Sequence, residues 1–521
     1  MGNCVNLVGG SAAVKPREPF HGRGGPGSDR QAPASPEVLL PAILHGLYPM
    51  TSLLMTQTAS SAENGTWWTR PCGARDVLAI ALPMVVTTMF WTVQWFVDRM
   101  FLMWYSSEAM TAALPAGMAQ WTLICLPASI ASYVNTFVAQ YHGAGKPSRI
   151  GLVVAQGAWL GWGLTPLFLL AIPLAPFLFS HGSDPEVARL EVEYFRYLSL
   201  GAGGVVLTNA LSSFYTGRGM TGIVMRVQIA GTALNVVLDY LLIFGNLGCP
   251  ELGIAGAAIA TSAANWFSAL TFLVLLRRHP DREKYGLISG NRFEPRLFWR
   301  LLRYATPGGL PLLVEAAAFT LLTQFVTEIG RTEGAATGLA FNVNGLVFVP
   351  IIGVSIAAST LVGQKLGEGR PDLAARSTWT SLMIALLFTG SFAVLYIAVP
   401  DFFLLAHAAH ARPEEFARVR ELTVVLLRFV AAYCIFDAMQ IVFVGALKGA
   451  GDTLFILFAT STISVLAVLI GRLGQVYGGW GLFGWWWVMT GWLFSLGIVY
   501  LARFLQGKWR TMRVIEHDLP D

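Results

Sequence analysis

Charge is what this sequence has least of: Asp, Glu, Lys and Arg make up 12% of its 521 residues, while 55% are hydrophobic. A soluble domain of this size needs far more charge to cover its surface. The composition therefore excludes a large water-soluble body and makes lipid the main solvent. Strand-like alternation of apolar and polar residues is equally scarce. A chain crossing hydrocarbon must satisfy its backbone polar groups internally, as helices or closed barrels, and continuous apolar runs select helices. Cysteine is rare too. Cys4, Cys72, Cys125, Cys249 and Cys434 are scattered without CxxC or histidine-paired spacing, which argues against a disulfide framework and a metal site. No HExxH, GxSxG or paired-aspartate protease motif falls in an apolar run, so the chain does not read as an intramembrane enzyme.

What is present is a succession of apolar segments near 77–104, 110–139, 150–179, 190–216, 224–246, 252–276, 301–329, 334–363, 375–405, 421–447, 454–477 and 480–505. Each meets the length of roughly 20 residues that a spanning helix needs. Residues 1–66 are different in kind. Gly22–Ser35 reads GRGGPGSDRQAPAS, a composition that cannot bury a core. This stretch is expected to be disordered, or an extension ahead of a true start at Met50 or Met55, and it lacks a signal-peptide cleavage site. Lys and Arg favour alternate loops, above all the Arg277–Arg303 stretch. That bias places both termini in the cytoplasm. The expected organisation is an amino-terminal bundle over 67–276, a cytoplasmic linker over 277–300, a carboxy-terminal bundle over 301–506 and a cytoplasmic tail over 507–521.

The two bundles repeat each other. Gln140–Pro147 reads QYHGAGKP and Gln364–Pro371 reads QKLGEGRP, 224 residues on, and Pro83 and Pro307 share that spacing. GRGMT at Gly217 and GAGDT at Gly449 match at a slightly larger one. Six crossings per copy return the chain to its starting side, so the copies are related by an axis along the membrane normal. The expectation is an all-α membrane protein of twelve transmembrane helices, two homologous six-helix bundles around a central cleft.

An ionisable side chain inside a span costs at least ~2.5 kcal/mol and is a functional candidate by default. Asp98, Asp239, Glu315 and Asp437 are such groups. Asn235 lies one turn before Asp239 and shares its helix face, which suits a cation or proton site. Tyr433 and Asp437 repeat the same spacing. Glu315 has no partner nearby in sequence. Asp98, followed by Arg99, also fits an interfacial position, and Asp239 also fits a bond to a neighbouring helix. Tryptophans such as Trp91, Trp95 and Trp121 suit either lipid-interface anchoring or cation–π contact with an organic cation in a cleft.

In order and spacing these motifs resemble the multidrug and toxic compound extrusion (MATE) transporters, particularly their NorM-like branch, from about Asp76 to Lys508. The resemblance rests on FVDRMF around Asp98, VAQYHGAGK, the Asn209 segment ending in TGRGMT, LNVVLDYLLIFG, GIAGAAIAT, PGGLPLLVE from Pro307, VGQKLGEG and FDAMQIVFVGALKGAGDT from Phe436. It implies an antiporter in the cell membrane that uses a Na⁺ or H⁺ gradient to expel amphiphilic, mostly cationic drugs or toxic metabolites. It also implies a monomer with no cofactor beyond the coupling ion, no nucleic-acid partner and no metal beyond possible Na⁺. Carried over residue by residue, an amino-terminal cation site maps onto Asp98, Asn209, Asn235, Asp239 and Thr261. A carboxy-terminal one maps onto Glu315, Tyr433 and Asp437. Asn342, Trp91 and Trp95 are expected in the substrate cleft. The alternative reading is a flippase for a lipid-linked or other amphiphilic cargo, which favours a strongly cationic cavity.

Overall fold

A computed structural model describes residues 65–179, 184–408 and 413–516; the expectation for the amino-terminal stretch falls outside them but for residues 65 and 66. The helices, in chain order, are α1 (Ala74–Tyr105), α2 (Ser107–Ser132), α3 (Val134–Gly143), α4 (Pro147–Leu170), α5 (Ala175–Leu178), α6 (Pro185–Gly217), α7 (Thr221–Phe244), α8 (Ile254–Arg277), α9 (Pro295–Ile329), α10 (Arg331–Gly367), α11 (Pro371–Ala398), α12 (Pro400–Ala408), α13 (Pro413–Ala450), α14 (Thr453–Gly478) and α15 (Leu482–Leu505). Helices α2 and α3 form one span bent at Tyr133. Counting that pair once and leaving out the short α5 and α12 gives twelve spans, six in each half.

Eleven of the spans are long and apolar enough to cross a membrane by length and composition among the described residues. Helix α6 misses that measure for a physical reason. Glu186, Arg189, Glu191, Glu193 and Arg196 crowd its first half, and Gly, Ser, Thr and Asn fill its second. Small side chains let it pack closely. A methyl on Gly201 would stand 2.6 Å from Ser262 Oγ and one on Gly203 2.1 Å from Thr165 Oγ1, so neighbouring helices press against its backbone.

The turns within the repeated motifs show why the sequence recurs. In both copies of the first motif the helix ends in a glycine at positive φ, Gly145 (68°) and Gly369 (72°), and proline opens the next helix, at Pro147 and Pro371. Left-handed glycine stops a helix without Cβ strain, and proline at N1 wastes no hydrogen bond. The same logic places Gly219 (79°) and Gly451 (100°) after α6 and α13.

Packing repeats as the turns do. In the first half α1 lies on α7, α2 on α6, α4 on α6 and α6 on α8. In the second half α9 lies on α14, α10 on α13, α11 on α13 and α13 on α15. Span for span these are the same pairs. The halves meet reciprocally, α1 along α10 and α2 against α9, as a two-fold relation requires. Val77, Ile80 and Ala81 at the start of α1 are buried in the apolar core of the second half.

Two segments outside the spans pack against the bundles. In the linker, Tyr285 and His279 are buried, Gly151 donates to the Tyr285 carbonyl (2.8 Å) and Gln156 Nε2 to that of Arg292 (2.8 Å). Its charged residues Asp281, Arg282, Glu283 and Lys284 remain exposed. In the tail, Trp509 stacks on Phe504 with centroids 4.7 Å apart, while Val514 and Ile515 are buried. Apolar side chains too few to form a core of their own are covered by docking on the bundles.

Candidate functional site

The buried residues of α7 run Val224, Val227, Gly231, Thr232, Asn235, Asp239 and Ile243, a stripe at helical spacing. This face turns toward α1, where Gln94, Asp98, Phe101 and Leu102 are buried. Asn235 and Asp239 thereby meet Asp98. Asn235 and Asp239 have no exposure at all and Asp98 has 6%. Thr261 Oγ1 of α8 lies 3.3 Å from Asp98 Oδ2. The amide of Asn235, oriented so that its nitrogen faces the acids, donates to Asp98 Oδ1 (3.0 Å) and Asp239 Oδ2 (3.3 Å) and accepts from Thr261 Oγ1 (3.3 Å). That orientation is the physical one, since the alternative aims the amide oxygen at two carboxylates.

The carboxyl groups of Asp98 and Asp239 thus share one amide between them. Two carboxylates this close cannot both carry charge without a cation or a shared proton. Asp239 Oδ1 has no partner, a buried acceptor left open. Burying such an atom without a partner costs about 1–3 kcal/mol, and a bound ion or proton removes that cost. Asn209 does not join this cluster: its Nδ2 donates to the Val205 carbonyl (2.9 Å) one turn back on α6.

The carboxy-terminal acids are arranged more loosely. Tyr433, Asp437 and Gln440 are buried on α13, and Glu315 of α9 is half-buried. Glu315 Oε1 accepts from Gln440 Nε2 (3.2 Å). The hydroxyl of Tyr433 and Oε1 of Gln440 lack partners. Sequence spacing had not singled out Gln440, three residues beyond Asp437.

A cavity of about 620 Å³ opens between the halves and is walled by both. Asp98, Asn209 and Thr261 line it, whereas Asn235 and Asp239 lie behind the wall. Trp91 and Trp95 line it with Trp121, their rings 5.4–6.3 Å apart and mutually tilted or edge-on. Asn342 is not in the wall: on α10 the residues around it, Leu339, Val343 and Val347, are buried in the second bundle, and it faces away from them. Two cations that the sequence reading did not assign to the cleft are there. Arg99 leans over Trp95 at 5.7 Å. Lys448 stands in the wall because α13 runs on to Ala450. Gln94, Gln120 and Tyr194 complete the polar surface near Asp98.

Two bundles, a cleft between them and a buried acid cluster opening onto it define a membrane transporter. The MatE family model matches residues 83–241 and again residues 307–473, two copies beginning at Pro83 and Pro307. The chain belongs to the MatE family, and it is a transporter rather than an enzyme. Solved structures share its fold. One is a MOP superfamily transporter from Pyrococcus furiosus Vc1 described as having a binding pocket of reversed polarity (21% identity, 84% of this chain and 96% of that one, TM-score 0.75). Another is a multidrug resistance MATE family transporter in an outward-facing conformation, with the same coverage, identity and TM-score. A third is the eukaryotic MATE transporter AtDTX14 (17% identity, 84% and 96% covered, TM-score 0.73).

Proposed function

We propose that the protein is a cation-coupled antiporter that exports amphiphilic, mostly cationic compounds by alternating access, with the amino-terminal acid cluster as its coupling site. One observation carries this reading. Asp98 belongs both to the buried cluster with Asn235, Asp239 and Thr261 and to the wall of the cavity. An ion or proton held by the cluster withdraws Asp98 from cargo, and cargo bound at Asp98 withdraws it from the ion. Exchange follows when the two ligands differ in affinity between two conformations of the transporter. The cavity volume suits a small organic molecule, and Trp91, Trp95 and Trp121 offer ring faces to a cation.

In this reading Na⁺ or H⁺ is the coupling ion. The Tyr433, Asp437 and Glu315 group serves as a second cation site in the other bundle. The protein works as a monomer in the cell membrane, with its basic loops and both termini in the cytoplasm. The deciding experiment is ethidium efflux from purified protein in liposomes with Na⁺ and pH gradients imposed separately. Efflux driven by one gradient and lost in Asp98→Asn supports the reading; gradient-driven efflux undiminished by that substitution refutes the coupling site.

Arg99 and Lys448 in the same wall favour a second reading, a flippase for an amphiphilic anionic cargo. It predicts gradient-independent movement of an anionic lipid analogue between leaflets and no ethidium efflux.

A further inference from the structure

Most of the hydrogen bonds joining the two bundles gather at the basic ends of the spans, beneath the cavity, and the repeated motifs supply one matched pair of them. Gln140 of the first bundle donates to the carbonyl of Gly449 in the second (3.0 Å). Gln364, its counterpart 224 residues on, donates to the carbonyl of Gly217 in the first (2.9 Å). Gly217 and Gly449 stand at or beside the ends of α6 and α13. The last carbonyls of a helix have no intrahelical partner, so each glutamine satisfies an orphan acceptor of the opposite bundle.

The backbones beside these glutamines are in contact by the same symmetry. A Cβ added to Gly143 would stand 1.9 Å from the Gln364 carbonyl oxygen, and one added to Gly367 would stand 2.2 Å from that of Gln140. Tyr133 Oη donates to the Lys448 carbonyl (3.0 Å) and Asn135 Nδ2 to Thr360 Oγ1 (3.2 Å), which extends the seam to the cavity floor. Gln140, fully buried, also accepts from the Val514 backbone N–H (2.9 Å) and so ties the docked tail to the same point.

We propose that Gln140 and Gln364 are positioning residues forming a reciprocal two-point latch that holds the basic face closed, and that opening toward that face requires both amides to let go. The inference rests on the alternating-access reading above. Two equivalent bonds about one axis have a physical consequence that scattered contacts lack. Being equivalent about that axis, they break together when the bundles rock apart at this face, so the closed state is abandoned cooperatively and not by fraying. Each glutamine also leaves behind a glycine carbonyl that water reaches at once, which keeps the opened state accessible.

The test is electron-spin distance measurement between labels on Ser148→Cys and Arg370→Cys, exposed positions on the basic ends of the two bundles, with Cys4 and Cys249 replaced by serine. Gln140→Ala and Gln364→Ala are each expected to raise the ratio of long to short separations about fivefold, the net worth of one hydrogen bond. The double variant should shift it further. Gln140→Glu keeps the shape without the amide donor and should behave as the alanine variant, while Gln324→Ala, exposed on α9 and remote from the seam, should change nothing. If the double variant does not fold, the single variants and Gln140→Glu decide. Unaltered separations in well-folded Gln140→Ala and Gln364→Ala overturn the latch. Ethidium efflux measured on the same samples keeps the two readings apart: a shift in separation without efflux in any sample sinks the export reading and leaves the latch, whereas efflux without a shift does the reverse.

Discussion

Replacing Gly367 with alanine is expected to destabilise the protein, although alanine is the better helix former. The same change at two other glycines of α10 is expected to stabilise it. At Gly338 and Gly345 an added Cβ meets nothing within 4 Å, so Gly→Ala there should yield the usual gain of about 0.5–1 kcal/mol. At Gly367 the Cβ would lie 2.2 Å from the Gln140 carbonyl oxygen, 2.9 Å from Ala144 N and 3.0 Å from Gln140 C. These are backbone atoms, which cannot swing aside as a side chain does, so the helices must part by about an ångström. Overpacking of this kind costs about 1–3 kcal/mol, and the upper end applies because the contact is with main chain. Subtracting the propensity gain leaves a net loss of about 2 kcal/mol. Gly143→Ala, with 1.9 Å to the Gln364 carbonyl oxygen, should lose at least as much. Thermal unfolding of purified variants in one detergent, followed by tryptophan fluorescence, gives the sign directly. Midpoints of Gly367→Ala and Gly143→Ala at or above the parent, with Gly345→Ala no higher, would refute the argument that the bundles touch backbone to backbone at the basic face.

Asp239→Asn should abolish gradient-driven ethidium efflux in liposomes while the protein still inserts, and Glu315→Gln/Asp437→Asn should weaken efflux without abolishing it; the opposite ranking would move the coupling site to the second bundle. Tyr433→Phe should leave the unfolding free energy within about 0.5 kcal/mol of the parent because the hydroxyl has no hydrogen bond to lose, yet it should alter the cation concentration giving half-maximal efflux. Burial and then the neighbouring Arg218 guanidinium push the His279 imidazole down to about 4. Its ring nitrogens face Arg218 Nη1 (3.3 Å) and the Asp281 backbone N–H (3.1 Å), both donors that a protonated ring would meet head-on. Between the ordinary histidine value of about 6.5 and about 4, the unfolded chain therefore binds a proton the folded one refuses, so stability falls as pH falls through that window. His279→Gln should flatten the drop in unfolding midpoint between pH 7 and pH 5. Maleimide should label the half-buried Cys249 well before Cys72, whose buried thiol is pushed up to about 11 and stays protonated; equal rates would contradict the packing around Cys72.

The sequence by itself determined the solvent, the element type, the repeat and the turns. Lipid leaves helices as the only economical use of long apolar runs, and Gly145/Pro147 and Gly369/Pro371 stop and restart helices by local stereochemistry alone. The face shared by Asn235 and Asp239 followed equally from the pitch of one helix. Which helix that face meets was decided only by tertiary structure. A spanning helix is apolar nearly all round, so its sequence does not say which side turns to lipid and which to a neighbour. Hence the meeting of Asp98 with Asp239 across α1 and α7, the choice of Gln440 over Asp437 as the partner of Glu315, the exclusion of Asn342 from the cavity wall and the inclusion of Lys448 were visible only once the helices were packed. The motif glutamines make the same point most sharply. Gln140 and Gln364 looked like parts of two separate turns, and it is the two-fold packing of the bundles that carries each amide to a glycine carbonyl in the other half, more than 140 residues away along the chain.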